Sequence, residues 1–266
     1  MMHRRLAIAD RCDLIENAVQ RLSQGCRVGT MGMLDGRICI VTGAAGSLGR
    51  AGAARFAAEG AKVMLVDRDR TTLDATLKSL PEGQATAMLA DVSSARDTQA
   101  YVDATVARWG PIDVLVSNAD ISGVIRPVID YPEDVFDAVV SVNLKGSFLA
   151  CKHALAKMRD GGSIIMTSSA VGVTGDPGIA AYAAATHGLI GLMRTLAKEA
   201  VARRIRVNVV VSGPLDNDSR LVLDPDAGKF SETVLFLASD KSSITTGGVV
   251  VANAGMHAAL IDKLYR

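Results

Sequence analysis

The sequence predicts a single α/β domain built on a doubly wound parallel sheet of about seven strands, with helices on both faces. Three observations carry this expectation. Ala, Val, Leu, Ile and Gly dominate a chain that is 49% hydrophobic but only 4% aromatic, which suits strands buried on both faces. From Leu34 onward, short apolar runs alternate with longer amphipathic segments, the pattern of right-handed βαβ units. A glycine-rich turn joins the first such run to the first helix.

The elements follow in order. "RICIVTG" reads as a buried strand, followed by the glycine turn and the helix "RAGAARFAAEG". "KVMLVD" is a second strand, and Leu73, Leu77 and Leu80 mark a helix stopped by "PEG". "ATAMLAD" is a third strand, with a helix from Asp97 to Trp109, and "IDVLVSNA" a fourth. A long helix is expected from Pro132 to Met158, then the strand "SIIMTSS" and a helix from Ala180 to Arg203. "IRVNVVV", the helix "SETVLFLAS" and the strand "GGVVVA" complete the alternation. Neither a second domain nor an internal repeat is expected.

Residues 1–33 stand apart. Leu14, Ile15, Ala18, Val19 and Leu22 form one apolar stripe at helical spacing, and "GCRVGTMGM" reads as a linker. The expected organisation is an N-terminal helical extension over 1–33 and a Rossmann-type domain over 34–266. The extension has only "LAIA" as an apolar core, so it is not expected to be a secretory signal. Asp10, Asp13 and Glu16 interrupt its basic face and argue against a transit peptide.

Charge and cysteine usage narrow the function classes. The chain has 29 basic and 28 acidic residues, a net charge of +1, so neither nucleic acid nor an anionic membrane is an expected partner. No apolar run approaches the roughly 18 residues of a membrane span. Cys12, Cys26, Cys39 and Cys151 show no C-x-x-C pairing or clustering with histidine. The expectation is a reduced, cytoplasmic protein without a metal site.

"VTGAAGSLGR" ends the first strand and opens a helix. Ligands of such sheets bind at the carboxyl ends of the strands, where a helix N-terminus offers free N–H groups to a pyrophosphate. Glycines let the backbone turn and approach the phosphates. Asp67 closes the second strand 18 residues after Gly49. A carboxylate there accepts hydrogen bonds from ribose hydroxyls and repels a 2′-phosphate, favouring NAD over NADP. The neighbouring Arg68 pulls the other way, since a guanidinium receives a phosphate well.

With these residues in view, the segment from Leu34 to Met256 resembles the short-chain dehydrogenase/reductase family. The opening "LDGRICIVTGAAGSLGR" resembles the family's strand and glycine turn, which assigns Gly43, Ser47, Leu48 and Gly49 to the cofactor. "ADVSS" resembles the segment whose Asp91 and Val92 border the adenine. "SNAD" stands at the family's Asn-Asn-Ala-Gly strand end, bringing in Asn118 and Ala119, and "VNLKGSF" supplies Asn143. Ser169 and Tyr182 lie 13 residues apart, the family's spacing for its catalytic serine and tyrosine. The resemblance implies hydride transfer between a nicotinamide and a carbinol or carbonyl carbon. Tyr182 would exchange the substrate oxygen's proton, Ser169 would orient that oxygen, and Asn143 would hold a relay water. The family's lysine, four residues after the tyrosine, grips the nicotinamide ribose and lowers the tyrosine pKa by its charge.

Here that lysine is Thr186. Residues i and i+4 share a helix face, so the threonine hydroxyl is expected to keep one ribose hydrogen bond while supplying no charge. A tyrosine with a pKa of ~10 is ionised in only about one molecule per thousand at neutral pH. His187 is turned about 100° further round the helix, and Lys145 is a remote substitute. The family's middle glycine is Ser47. The strand-end glycine is Asp120, a carboxylate set near an anionic dinucleotide. The "PG" after the sixth strand is Ser212-Gly213, the following threonine is Asn217, and only the 15 residues Leu215 to Lys229 are left for a substrate lid. The final "VDGG" is replaced by "VANAG". Two main expectations result, with non-redox chemistry in the same pocket, such as an elimination with Tyr182 as proton donor, as a third. One is an NAD-dependent oxidoreductase, impaired or unusual in mechanism, acting on a secondary alcohol or ketone as a homodimer or tetramer. The other is an inactive family member serving as a structural or regulatory subunit, alone or beside an active paralogue.

Overall fold

The computed structural model of the protein describes residues 31–213 and 225–253. The N-terminal helical stripe, Cys12, Cys26, Asn217 and most of the short lid lie outside the described residues. Seven strands, β1 (Ile38–Thr42), β2 (Lys62–Asp67), β3 (Ala85–Leu89), β4 (Ile112–Ser117), β5 (Met158–Ser169), β6 (Arg206–Ser212) and β7 (Val249–Ala252), form one sheet. Their order is β3-β2-β1-β4-β5-β6-β7, and each neighbouring pair is parallel. The chain runs outward from β1 to β3 and then crosses back to β4, so the order reverses between β1 and β4. A crevice opens there at the carboxyl ends of the strands.

Helices α1 (Ser47–Ala58), α2 (Arg70–Lys78), α3 (Ala95–Trp109), α4 (Glu133–Val139), α5 (Gly146–Leu155), α6 (Ala180–Glu199) and α7 (Pro225–Ala238) cover the sheet. Strand alternation divides the core into two clusters. Ile40, Ile164 and Val209 pack with Tyr101, Leu189 and Met193 on one face. Cys39, Ile165 and Val210 pack with Phe56, Leu73 and Leu235 on the other. Both faces are therefore apolar, which explains the nearly unbroken hydrophobic strand runs. Each fully buried large side chain contributes roughly 1.5–3 kcal/mol. The described cysteines, Cys39 and Cys151, are unpaired and buried. Burial pushes the Cys151 thiol up to about 12, so it behaves as a small apolar residue rather than a reactive thiolate.

The long helix expected from Pro132 to Met158 is divided. A π-helical segment, Val140–Lys145, separates α4 from α5. Its cause is Asn143, a buried residue whose Oδ1 accepts from Ile121 N–H at 2.9 Å and whose Nδ2 donates to Ile121 C=O at 3.0 Å. Satisfying a backbone pair on a neighbouring loop turns the ladder out of α register, and such bulges gather at functional sites. The helix begun at Ala180 ends at Glu199, because Val201–Arg203 tightens into a 3-10 turn and Arg204 takes φ 55°. β3 stops at Leu89, leaving Asp91 in the turn that follows. The last helix starts at Pro225, earlier than its apolar run suggested.

Candidate active site

The glycine turn is dictated by sterics. Gly43 has φ +66°, and a Cβ there would lie 2.8 Å from Ala119 Cα. A Cβ on Gly49 would lie 2.1 Å from the Gly43 carbonyl oxygen, so α1 can pack this close to the end of β1 only with glycine at 49. The N-cap of α1 is Gly46, and no side chain caps the helix. The first-turn amides therefore face the crevice without an internal acceptor from the cap. Ser47 does not obstruct this arrangement; it is exposed at the first helical position and adds a hydroxyl to the crevice wall. Thr42 Oγ1 accepts from the backbone N–H of Asn118 (3.0 Å) and Ala119 (3.2 Å), tying β1 to β4 where the strand order reverses. Asn118 Nδ2 reaches Gly43 C=O at 3.4 Å.

At the far end of the cleft, Asp67 Oδ2 accepts from Ala45 N–H at 2.9 Å. Its Oδ1 accepts from the N–H groups of Arg68 (2.7 Å) and Asp69 (3.1 Å). The carboxylate thus braces the glycine turn, leaving about one acceptor site for a hydroxyl donor. Asp91 Oδ1 accepts from the Ser93 hydroxyl and N–H, and these bonds hold its carboxyl below the usual range. Val92 is buried against Gly146, where a Cβ would come 3.0 Å from Val92 Cγ2. The cleft between these points has a volume of about 350 Å³ and reaches from the glycine turn to Tyr182 and Ser212. On its wall, the Thr167 Oγ1 atom is buried without a hydrogen-bond partner.

Tyr182, at the start of α6, is gripped by a small apolar cluster that includes Ile121, Tyr131, Val135 and Leu144. Its hydroxyl donates to Asp120 Oδ2 at 2.8 Å. Burial raises the phenol well above its ordinary value, and the Asp120 charge and hydrogen bond raise it further; the Ser169 hydroxyl opposes them. Crowding by the cleft walls raises the Asp120 carboxyl, and the Tyr182 hydrogen bond partly offsets this. Tyr182 and Asp120 are therefore one hydrogen-bonded pair, with Ser169 acting on the same phenol.

Three sequence expectations change here. Thr186 does not offer its hydroxyl to a ribose: it is buried, and Oγ1 donates to Tyr182 C=O at 2.7 Å and lies 3.2 Å from Ala183 C=O. A threonine inside a helix finds these carbonyls before any ligand. Asn143 does not present its amide to a relay water, since both of its polar ends hold Ile121, the residue after Asp120. Asp120 is not merely an anion beside an anionic site; it is the partner of Tyr182. His187 is exposed, with Nδ1 2.9 Å from Ala183 C=O, and Lys145 is exposed. Neither lines the cleft. Gly213 is also absent from the cleft wall, which Ser212 lines instead. Gly43, Ser47, Leu48, Asp67, Asp91 and Val92 line the cleft together, as do Asn118 and Ala119.

The cradle that a Cβ on Gly49 would fill, the uncapped start of α1 and the orphan Thr167 hydroxyl all fit a dinucleotide lying across the strand ends. Residues 37–228 match the short chain dehydrogenase family. The chain belongs to the short-chain dehydrogenase/reductase family. It is 36% identical to levodione reductase of Leifsonia aquatica over 253 residues, covering 84% of this chain and 95% of that protein. It is likewise 36% identical to a 3-oxoacyl-[acyl-carrier-protein] reductase of Thermotoga maritima over 246 residues, 84% of this chain and 98% of that protein. Among solved structures, levodione reductase superposes with a TM-score of 0.78 at 35% identity, over 85% of this chain and 99% of that one. An NAD+-bound xylitol dehydrogenase superposes with a TM-score of 0.75 at 30% identity, over 82% and 98%.

Against this family, the sequence reading missed the dyad of Asp120 and Tyr182, although both residues had been singled out. The available signal was joint: a carboxylate gained at 120 and a cation lost at 186. Thr167 and Ile121 carried no signal, because one is a strand residue and the other acts through its backbone.

Proposed function

We propose that this short-chain dehydrogenase/reductase is an NAD-preferring oxidoreductase that interconverts a secondary alcohol and a ketone. The observation that carries this reading is a cleft that runs from the glycine turn to Tyr182, with Ser169 among the groups acting on the Tyr182 phenol. A bound nicotinamide supplies or accepts the hydride. Ser169 holds the substrate oxygen, and Tyr182, steadied by its apolar cluster, exchanges that oxygen's proton. Asn143 fixes the loop that carries Asp120. Asp67 accepts a ribose hydroxyl on its remaining acceptor site and disfavours a 2′-phosphate. The names of the two curated relatives, both reductases, support a ketone as the oxidised substrate, and the NAD+-bound neighbour supports NAD. Among the described residues no helix is long and apolar enough to cross a membrane. We place the enzyme in the cytoplasm as a homodimer or homotetramer.

The test is titration of the purified protein with NADH and NADPH, followed by nicotinamide fluorescence. Binding of NADH in the micromolar range and more weakly of NADPH is expected. Absence of binding at millimolar NADH refutes the reading. One observation favours a second reading, that of an inactive subunit: the Tyr182 hydroxyl is already committed to a carboxylate and Thr186 is turned away from the cleft. That reading predicts no NADH binding and a stable complex with an active paralogue on co-expression.

A further inference from the structure

We propose that Asp120 replaces the missing lysine by a different route, as the carboxylate through which Tyr182 exchanges its proton with solvent. The inference rests on the oxidoreductase reading above. Its ground is geometric. Asp120 Oδ2 lies 2.8 Å from the Tyr182 hydroxyl, at the cleft, on a residue exposed to solvent. The side chain at 186, where charge would otherwise come from, donates instead to its own helix. The backbone of the residue after Asp120 is pinned by a buried asparagine through two hydrogen bonds. The carboxylate is therefore presented by a fixed loop, and the π-helical distortion of the chain at Asn143 serves that fixation.

The groups around Asp120 leave Tyr182 as its partner. Tyr131 belongs to the apolar cluster around Tyr182, Lys145 on the π segment is exposed, and His187 on α6 is bound to Ala183 C=O. Asp67, Arg68, Asp69 and Asp91 come from the ends of β2 and β3, toward the opposite side of the cleft. Among the described residues no salt bridge neutralises Asp120, and its carboxylate receives the Tyr182 hydrogen bond.

In the oxidation direction, a bound oxidised nicotinamide would accept the carbinol hydride as the C–O bond becomes C=O. The carbinol O–H proton passes to Tyr182 Oη as the phenol proton passes to Asp120 Oδ2. The products are a ketone, a reduced dinucleotide and a protonated Asp120, which releases its proton to water. Reduction runs the same transfers backward from protonated Asp120. No free tyrosinate forms, which removes the need for a cation at 186. Asp120 acts through Tyr182 and is a positioning residue for the proton. Oxidation requires the carboxylate and should rise with pH through the Asp120 titration; reduction requires the acid and should fall through it.

Asp120→Asn, Asp120→Glu and Asp120→Gly, the last restoring the family's residue, test the inference with two readouts. The first uses cofactor-free protein: the ionisation of Tyr182, followed by NMR of ¹³Cζ-labelled tyrosine and assigned with Tyr182→Phe. Removing the anion in Asp120→Asn should lower the Tyr182 midpoint by about three units. The second is the pH profile of turnover with NAD+ and a panel of cyclic and acyclic secondary alcohols. Asp120→Asn and Asp120→Gly should lose at least tenfold in rate, with the acid limb abolished, although their phenol ionises more easily. Asp120→Glu should keep the limb. An unchanged Tyr182 midpoint in Asp120→Asn, or unchanged or faster turnover in Asp120→Asn or Asp120→Gly, overturns the inference while leaving the oxidoreductase reading intact. Wild-type protein that turns over no member of the panel overturns both.

Discussion

Two glycines three residues apart on α1 should respond oppositely to the same methyl group. A Cβ on Gly49 would sit 2.1 Å from the Gly43 carbonyl oxygen, whereas one on Gly52 would meet nothing within 4 Å. Ordinary contact begins at 3.4 Å, so Gly49→Ala demands a shift of more than an ångström against backbone, which cannot rotate away as a side chain would. The upper part of the overpacking range, about 3 kcal/mol, is appropriate. The better helix propensity of alanine returns about 0.8–1 kcal/mol. The net loss of about 2 kcal/mol corresponds to a Tm lower by roughly 4–8 °C in a domain of this size. Gly52→Ala keeps only the favourable part and should raise Tm by about 2–4 °C. Calorimetry of both variants, with NADH titration of each, is the assay. On the proposed reading of the glycine turn as the dinucleotide site, Gly49→Ala should also lose NADH affinity. A Gly49→Ala protein as stable as wild type with undiminished NADH binding would refute the steric account of the turn.

Arg206 is buried, and its guanidinium donates to the carbonyls of Leu237 and Ser239 and to the Ser242 hydroxyl. Arg206→Ala removes three charge-assisted bonds at the C-terminal end of α7, while the Leu237 carbonyl keeps the Ser163 hydroxyl and the Ser239 carbonyl keeps Ser242 N–H, and should cost about 2 kcal/mol in urea denaturation. Glu59 Oε2 accepts from Met33 N–H at 2.6 Å, and this bond, followed by the one from Arg55, lowers its carboxyl. A lowered folded-state pKa gives stability that is present above the unfolded value of about 4.3 and lost as pH falls through the folded value. Glu59→Gln should therefore be about 1 kcal/mol less stable at pH 7, with the difference shrinking as pH falls below the unfolded value in thermal melts. Asp67→Ala should weaken NADH binding about tenfold and narrow the gap to NADPH, as read by nicotinamide fluorescence.

The fold was legible because its signals are local and redundant. The strand runs, the glycine turn and the spacing of Ser169 from Tyr182 each follow from one segment of chain, and the strand order follows from the handedness of the crossovers. Asp67, Asp91 and Asn118 line the cleft because they stand at, or just past, the ends of β2, β3 and β4. The structural part of Asn143 was not legible, because it depends on the backbone of Ile121, 22 residues away. Thr186 was placed on the correct helical face, yet a face does not say which acceptor a hydroxyl chooses, and two carbonyls of its own helix lay nearer. Asp120 was read by its charge alone. Its meaning lay in a distance of 2.8 Å across 62 positions of sequence, which no periodicity encodes.

The changes at 120 and 186 act on one phenol with the same sign. Relative to the family pattern, residue 186 has lost a cation and residue 120 has gained an anion, and each change disfavours tyrosinate. A unit charge about 4 Å away at an effective dielectric near 20 is worth about 4 kcal/mol, or roughly three pK units. Restoring the lysine alone then cannot recover the family's chemistry. Gly172, whose Cβ would lie 3.0 Å from Thr186 Cβ, leaves space beside that position, but an ammonium entering the cleft would meet Asp120 and pair with it. Thr186→Lys should therefore leave the rate within a few-fold of wild type or below it. Asp120→Gly with Thr186→Lys should lower the Tyr182 midpoint by several units and convert the pH profile from carboxylate control to phenol control. A large rate gain from Thr186→Lys alone, with Asp120 in place, would show that the anion never governed Tyr182 and that the site is a family site lacking only its cation.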